Sequence, residues 1–214
     1  MVVLDSMLQD KNMRTLLVIN ILYSFSGMCI FANTPAVLTD IGFSTVFATG
    51  IATSCNSLAN CIGKFGMGRV SDKLGCKKML LLWYGITPLA ILYFMMARTV
   101  AVPGGIIGAL LAGYIGGIYS IPISITAGLL YEDHTSYTTV VSYCTAAATL
   151  CNTCSNIIFH GFYDVSGSYL ISLTYAFVLS VVCFVLVKGL ILRNRKVFLQ
   201  VAKTDYVIGE HKKR

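Results

Sequence analysis

Two stretches of the sequence carry hydroxyl and amide side chains at the same spacing, and hydrogen bonding to a polar partner is the chemistry available to them. The first stretch contains Thr49, Thr53, Asn56 and Asn60. Each has a counterpart of the same type 96 residues later, and these counterparts are Thr145, Thr149, Asn152 and Asn156. Residues at this spacing fall on one side of a helix. Each stretch therefore predicts a helix with a polar face, which either lines a polar cavity or hydrogen-bonds to neighbouring helices.

The residues that usually perform catalysis or bind metals are not grouped in this way. His134, His160 and His211 lie far apart, and none has a metal-ligand pattern beside it. Cys151 and Cys154 have the spacing of a redox motif, but they stand inside an apolar run without a second pair. No phosphate-binding glycine loop occurs. We therefore expect neither an enzyme nor a metal or cofactor site.

The elements that must position the two polar stretches follow from composition. Charged residues make up 12% of the chain and hydrophobic residues 56%, whereas soluble domains are about 25% charged. This composition disfavours a soluble enzyme, a disordered regulator and a nucleic-acid-binding protein. Six runs lack Asp, Glu, Lys and Arg, and they cover residues 15–39, 41–63, 79–97, 99–131, 135–163 and 165–187.

Each run can supply the ~20 residues that a helix needs to cross a bilayer. The sequence thus predicts an all-α, polytopic membrane protein with a leader over 1–14, a bundle over 15–192 and a basic tail over 193–214. The six transmembrane helices are predicted at about 15–34, 46–66, 78–97, 104–128, 138–160 and 168–191. With six crossings, every Lys and Arg except Arg98 falls on one side. The positive-inside rule makes that side cytoplasmic, with both termini there and the chain in the cell (plasma or inner) membrane.

The 96-residue offset also relates the first and fourth predicted helices. Ile19, Tyr23 and Ser24 match Ile115, Tyr119 and Ser120 without a gap. An offset of three helices relates segments that cross in opposite directions, so helices 1–3 and 4–6 are predicted to be inverted repeats, as in many transporters. The residues predicted to line a cavity are Tyr23, Asn56, Asn60, Tyr119, Thr149, Asn152 and Asn156. Small residues at steps of four, from Gly104 to Ser120, predict close helix packing.

The segment from Gly68 to Lys78, between the second and third predicted helices, resembles the signature loop of the major facilitator superfamily. The matching residues are Gly68, Asp72, Lys73, Gly75 and Lys77, while Cys76 stands where a cation is usual. The stretch from Gly161 to Tyr169 is similar to a turn in the second half of oxalate/formate antiporter-like and monocarboxylate-transporter-like members. The resemblance covers residues 11–192 and implies the C-terminal six-helix half of such a carrier.

The resemblance implies a secondary, alternating-access transporter of a small solute, a small organic acid among the candidates, with the signature loop as an inner clasp. Its partners would be the lipid bilayer, the solute, and an N-terminal six-helix half or a second copy of the chain, but no nucleic acid. The predicted helices lack the mid-membrane cation expected of an oxalate-type carrier. The charge then lies on the other half, the solute is neutral or zwitterionic, or transport is lost. The alternative is a non-transporting membrane protein, either an assembly partner or an inactive truncated fragment.

Overall fold

The computed structural model describes residues 9–96, 102–117 and 121–198, and these residues form helices joined by short turns, with no strand among them. The six long helical elements are α1 (Lys11–Asp40), α2 (residues 45–74), α3 (Cys76–Met96), α4 (Val102–Gly117 and Ile121–Leu130), α5 (His134–Ser166) and α6 (Leu170–Arg193). They occupy the six predicted ranges, although several ends differ.

The largest difference from the predicted boundaries is at the end of α2. The helix was expected to stop near residue 66, but it continues to Leu74. The predicted signature loop is therefore helical over its first seven residues, and the connection to α3 is a turn at Gly75, whose φ is 76°. No proline interrupts the segment, and a glycine with positive φ is what ends it.

The same physical rule extends α5 beyond its predicted end at residue 160. The helix runs to Ser166 and ends at Gly167, which adopts the left-handed conformation with a φ of 69°. Its beginning is at His134 rather than 138, because Asp133 caps it by accepting a hydrogen bond from the backbone N–H of Ser136.

Two π-helical turns interrupt the helices that form one side of the bundle. Ser24–Met28 forms such a turn in α1, and Phe47–Ala52 forms one in α2. A π-turn adds a residue to the helix and often marks a functional position. α1 also contains Pro35 and continues through it to Asp40, so the helix extends beyond its predicted end at residue 34.

Contacts between the ends of the helices show that the chain runs back and forth through the bundle. At one end, Asn12 and Asn194 exchange amide hydrogen bonds of 3.4 and 3.0 Å, and the hydroxyl of Tyr131 donates to Asp10. At the other end, Asp40 accepts a hydrogen bond from the backbone N–H of Tyr169 at 3.1 Å. α1 therefore begins beside the end of α6, and its own end lies beside the beginning of α6.

Each helix packs closely against one or two others. α2 packs against α4, α1 packs against both α5 and α6, and α3 packs against α6. The backbones of α2 and α4 approach each other closely, because a Cβ atom on Gly113 would lie 2.0 Å from the carbonyl oxygen of Asn56. Gly116 belongs to the predicted ridge of small residues, and a Cβ atom there would lie 2.2 Å from the ring of Phe31. Gly113 lies outside that ridge, one residue after Ala112.

Four of the helices in the described residues are long and apolar enough to cross a membrane: α1, α3, α4 and α6. The chain thus has the character of a membrane-embedded protein. α2 and α5 are also long, but they are more polar and are not among the four. They are the helices that carry the two Thr-Thr-Asn-Asn stretches.

Candidate solute-facing surface

The exposed polar residues of α2 and α5 form the most prominent polar surface of the described helices. Thr49 and Thr53 are exposed on α2, and Thr145 and Thr149 are exposed on α5. The apolar α3 and α6 bury Thr87, Ser172 and Ser180, and Thr174 of α6 is exposed. The exposed hydroxyls are therefore concentrated on the two helices that are least suited to lipid.

These hydroxyl groups are bonded in a way that determines what they offer a partner. Thr49 Oγ1 lies 2.7 Å from the carbonyl oxygen of Thr45, and Thr149 Oγ1 lies 2.9 Å from that of Thr145. A threonine that donates its proton to the preceding turn presents only oxygen lone pairs outward. The exposed surface is therefore rich in hydrogen-bond acceptors.

Asn56 does not lie on the exposed surface. Its side chain is 6% exposed, and its Nδ2 donates to the carbonyl oxygen of Phe31 at 3.2 Å. That carbonyl lies four residues before Pro35, which has no N–H to donate to it. Asn56 thus replaces the backbone donor that Pro35 removes, and this role explains how α1 continues through the proline.

Asn152 and Asn156 lie where α5 packs against α1, and both are half-buried. Asn156 Oδ1 accepts a hydrogen bond of 2.8 Å from Asn33 Nδ2, which also donates to the carbonyl oxygen of Cys29 at 2.8 Å. Asn152 differs, because its Oδ1 atom is enclosed and has no hydrogen-bond donor among the described residues. Of the two asparagines on α5, Asn156 therefore joins α5 to α1, whereas the hydrogen bonding of Asn152 is incomplete.

The other residues predicted to line a cavity have varied positions. Tyr23 is 2% exposed, and its hydroxyl donates to the carbonyl oxygen of Ile115 at 3.0 Å, so it lies in the interior of the bundle. Its ring also packs against Gly27, where a Cβ atom would lie 2.7 Å from it. Asn60 is half-buried on α2. Tyr119 lies outside the described residues.

Two polar residues of α1 that the sequence analysis did not select are part of the same contacts. Asn20 is buried and donates through Nδ2 to the carbonyl oxygen of Cys144, and Asn33 is buried and bonds to Asn156. The signal was their presence as amides in an uncharged run. They have no counterparts at the 96-residue offset, and selection by that repeat therefore omitted them.

The residues of the signature segment lie at the end of the bundle that carries the cations. Lys73 is exposed and Lys77 is half-buried, on either side of the turn at Gly75. The backbone at Gly68 and Asp72 is helical, and the side-chain position of Asp72 lies outside the described part of the structure.

Ionisable groups at the helix ends are bonded rather than clustered. Hydrogen bonds from the backbone N–H and the hydroxyl of Ser136 lower the pKa of Asp133. Over the described ranges, no three His, Cys, Asp or Glu residues come together in an arrangement that could hold a metal ion. The surface thus offers hydrogen bonds and oxygen lone pairs.

Comparison with known protein families gives no match, and comparison with curated proteins gives none. The class of protein is therefore argued from the residues and their arrangement alone.

Proposed function

We propose that this chain is a six-helix bundle of a secondary, alternating-access transporter and corresponds to the second half of a major facilitator permease. The observation that carries the proposal is the exposure of hydroxyl-rich faces on α2 and α5, the two long helices that are more polar than the four candidate membrane-crossing helices. Polar groups are costly in hydrocarbon. A second bundle would cover these faces and enclose a polar cavity between the two.

The pattern of helix contacts supports the inverted-repeat part of the proposal. Exchanging the first three helices for the last three converts the α2–α4 contact into α5–α1 and leaves the α3–α6 contact unchanged. All three pairs are well packed in this structure. Two three-helix units of opposite orientation would share these equivalent contacts, although α1 also packs closely against α6 and the equivalent contact of α4 with α3 is smaller.

The distribution of charge supports an orientation. Within the described residues, the Lys and Arg side chains lie at or near the end where α1 begins and α6 ends, including Lys11, Arg14, Lys73 and Arg193. The opposite end carries Asp40 and Asp164. By the positive-inside rule the basic end faces the cytoplasm. A Lys73→Cys variant in intact cells should resist a membrane-impermeant thiol reagent, and rapid labelling would overturn the orientation.

Transport can be tested with assemblies that this geometry allows. Because α1 begins beside the end of α6, two copies can be joined by a short linker without crossing the membrane again. Solute counterflow would be measured in vesicles that contain the chain, the tandem fusion, or the chain with a co-expressed N-terminal six-helix half. We expect saturable counterflow of one solute from a panel of organic acids, polyols, amines and amino acids in one of the two-bundle assemblies.

The competing function is a non-transporting membrane protein. It is favoured by the absence of Lys, Arg, Asp and Glu from residues 15–39 and 135–163, which include most of α1 and α5, since ionisable residues within the membrane often mark ion and substrate pathways. Absence of counterflow from all three assemblies, with normal membrane insertion, would establish this alternative and overturn the transporter.

A further inference from the structure

The basic end of the bundle contains cations that two distant parts of the chain bring together. The amides of Asn12, at the beginning of α1, and Asn194, at the end of α6, exchange hydrogen bonds of 3.4 and 3.0 Å. Exposed cations lie on both sides of this contact. We name them the α1–α6 basic cluster, and its members are Lys11, Arg14, Arg193, Arg195 and Lys196.

The short segment that follows α6 is held against the bundle. Residues 195–198 are helical, and Phe198 at their end is 3% exposed. Phe198 belongs to the same buried apolar cluster as Met13 of α1 and Cys76 of α3. The two cations of this segment therefore have a defined place beside the beginning of α1.

The contacts of the α1–α6 basic cluster do not offset its charge. The guanidinium groups of Arg14 and Arg193 donate to a backbone carbonyl at 3.4 Å and to a threonine hydroxyl at 2.9 Å, and both acceptors are uncharged. Asp10, the acid next to the cluster in the sequence, accepts hydrogen bonds from the backbone N–H of Asn12 and from the hydroxyl of Tyr131. The cluster of five cations thus exceeds the charge of this one carboxylate.

Two further acids at this end of the bundle lie on the turn before α5. Both Glu132 and Asp133 are exposed, and Asp133 is occupied as the cap of α5 by the backbone N–H and the hydroxyl of Ser136. With Asp10 they amount to three negative charges beside five positive ones. The cluster therefore remains net positive and attracts an anion.

Exposed apolar side chains continue from the cluster toward the middle of the bundle. On α1, Val18 is exposed one turn after Arg14, about 6 Å further along the helix. On α6, Val185 and Leu192 are exposed and lie on one side of the helix. A molecule at this position would meet cations at one end and apolar surface along the rest of its length.

We propose that the α1–α6 basic cluster binds the headgroup of an anionic phospholipid, whose acyl chains lie along the exposed apolar side chains of α1 and α6. A phosphate group accepts the hydrogen bonds that Arg and Lys donate and offsets their charge. A soluble anion would satisfy the cations but not the apolar surface, and a zwitterionic lipid brings a cation of its own. The proposal does not depend on transport, because it concerns the membrane around the bundle.

Lipid binding to the detergent-solubilised chain tests the proposal. Native mass spectrometry would measure binding of dioleoylphosphatidylglycerol and dioleoylphosphatidylcholine, which have the same acyl chains and differ in headgroup charge. Glycerol phosphate is the third probe, because it has the phosphate without acyl chains. Lys11→Gln/Lys196→Gln removes two charges from the cluster. The matched control, Lys64→Gln/Lys73→Gln, removes two exposed lysines from α2, which packs against α4 instead of α6.

We expect phosphatidylglycerol to bind more tightly than phosphatidylcholine. Lys11→Gln/Lys196→Gln should weaken the binding of phosphatidylglycerol by about 25-fold, since each Lys or Arg near an anionic lipid surface contributes about fivefold. Lys64→Gln/Lys73→Gln should leave it nearly unchanged. Arg14→Gln provides a second reading if the cluster variant does not fold, because Arg14 is exposed and should contribute about fivefold by itself.

Three results would overturn the proposal. Equal binding of the two phospholipids would mean that only the apolar surface is recognised. Equal weakening by the two double variants would mean that the charge of the whole basic end acts without a site. Glycerol phosphate that binds as tightly as phosphatidylglycerol would identify a soluble anion as the partner. Because none of these results involves counterflow, the proposed transport function is tested separately.

Discussion

α2 and α5 carry the same pattern of two threonines and two asparagines, yet the structure uses the two patterns differently. On α2, Asn56 is buried and bonded to the carbonyl oxygen of Phe31. On α5, the equivalent Asn152 is half-buried and its Nδ2 has no acceptor in the described residues, while the Oδ1 atoms of both asparagines lack a donor. One asparagine completes the hydrogen bonding of a neighbouring helix, and the other is available for a partner.

The difference arises from the helices that these residues meet. α1 brings Pro35 and its unpaired Phe31 carbonyl to Asn56, and α4 brings Gly113, which allows the backbones to approach. No hydrogen bond within the described residues reaches the side chain of Asn152. The comparison teaches that a repeated pattern predicts which residue types share a helix face, while the neighbouring helix decides whether each is structural or available.

The largest effect on stability is expected from a substitution at Gly113, where α4 approaches the backbone of α2. In Gly113→Ala, the new Cβ atom would lie 2.0 Å from the carbonyl oxygen of Asn56. Because a backbone carbonyl cannot change rotamer to avoid the new methyl group, α2 and α4 must move apart. We expect a loss of about 3 kcal/mol or more, at the upper end of overpacking effects, measured as a fall in Tm of the detergent-solubilised chain.

The matched control for this change is Gly161→Ala in α5. No heavy atom of the described structure lies within 4 Å of a Cβ built there, and alanine favours a helix over glycine by about 1 kcal/mol. Gly161→Ala should therefore keep or raise the Tm. Equal Tm values for the two variants would show that α2 and α4 do not approach as described.

The second effect separates the two asparagines directly. Asn56→Leu removes the donor to the Phe31 carbonyl and should cost about 1–3 kcal/mol, the penalty for an unsatisfied buried group. Asn152→Leu removes an acceptor that has no donor, so it should be close to neutral or stabilising. Thermal unfolding of both variants in one detergent gives the comparison.

A rescue identifies the cause of the first loss. In Asn56→Leu combined with Pro35→Ala, the restored backbone N–H at position 35 can donate to the Phe31 carbonyl four residues before it. We expect the double variant to recover most of the stability that Asn56→Leu loses. Additive losses in this double-mutant cycle would mean that Asn56 does not substitute for the missing donor.

The third effect concerns the hydrogen bond that joins α5 to α1. Asn33 and Asn156 share a hydrogen bond of 2.8 Å between α1 and α5. Asn33→Leu and Asn156→Leu should each destabilise the chain, and the pair should show a coupling of about 1 kcal/mol. Purely additive Tm changes would show that the two amides do not share this hydrogen bond.

Much of the fold could be predicted from the sequence, because uncharged runs directly indicate the helices. The ends of α2 and α5 could not, since helix propensity continues through Gly68–Leu74 and through Phe162–Ser166 until a glycine with positive φ ends each helix. The rule that predicts a membrane crossing concerns lipid, whereas these helix ends depend on local backbone conformation. The helices of the structure therefore lie over the uncharged runs, and α1, α2 and α5 each end later than predicted.

The candidate site was less predictable than the fold. The 96-residue repeat identified Asn152 and Thr149, which the structure leaves available, but also Tyr23 and Asn56, which it buries. Whether a residue is buried depends on which neighbouring helix packs against it, and a sequence repeat does not identify that neighbour. Asn33 was omitted for the converse reason, because its bond to Asn156 connects helices that are distant in the sequence.

The smallest expected effect compares the first turns of the same two helices. Phe47 N–H donates to the Ser44 hydroxyl at 3.3 Å at the beginning of α2, and Ser136 N–H donates to the Asp133 carboxylate at 2.9 Å at the beginning of α5. Because the hydrogen bonds from the backbone N–H and the hydroxyl of Ser136 lower the pKa of Asp133 below its ordinary value of 3.8, the stabilisation that this cap provides is present above that value. It is lost as the pH falls through the lower pKa of the folded state.

Tm measurements on wild type, Asp133→Ala and Ser44→Ala between about pH 6 and about pH 3 distinguish the two caps. The Tm difference between wild type and Asp133→Ala should shrink at the acidic end, whereas the difference for Ser44→Ala should stay constant because a serine cap does not ionise. A constant difference for both variants would mean that the Asp133 cap acts without its charge. α5 would then begin in the same way as α2, and the two helices would differ only in the partners of their asparagines.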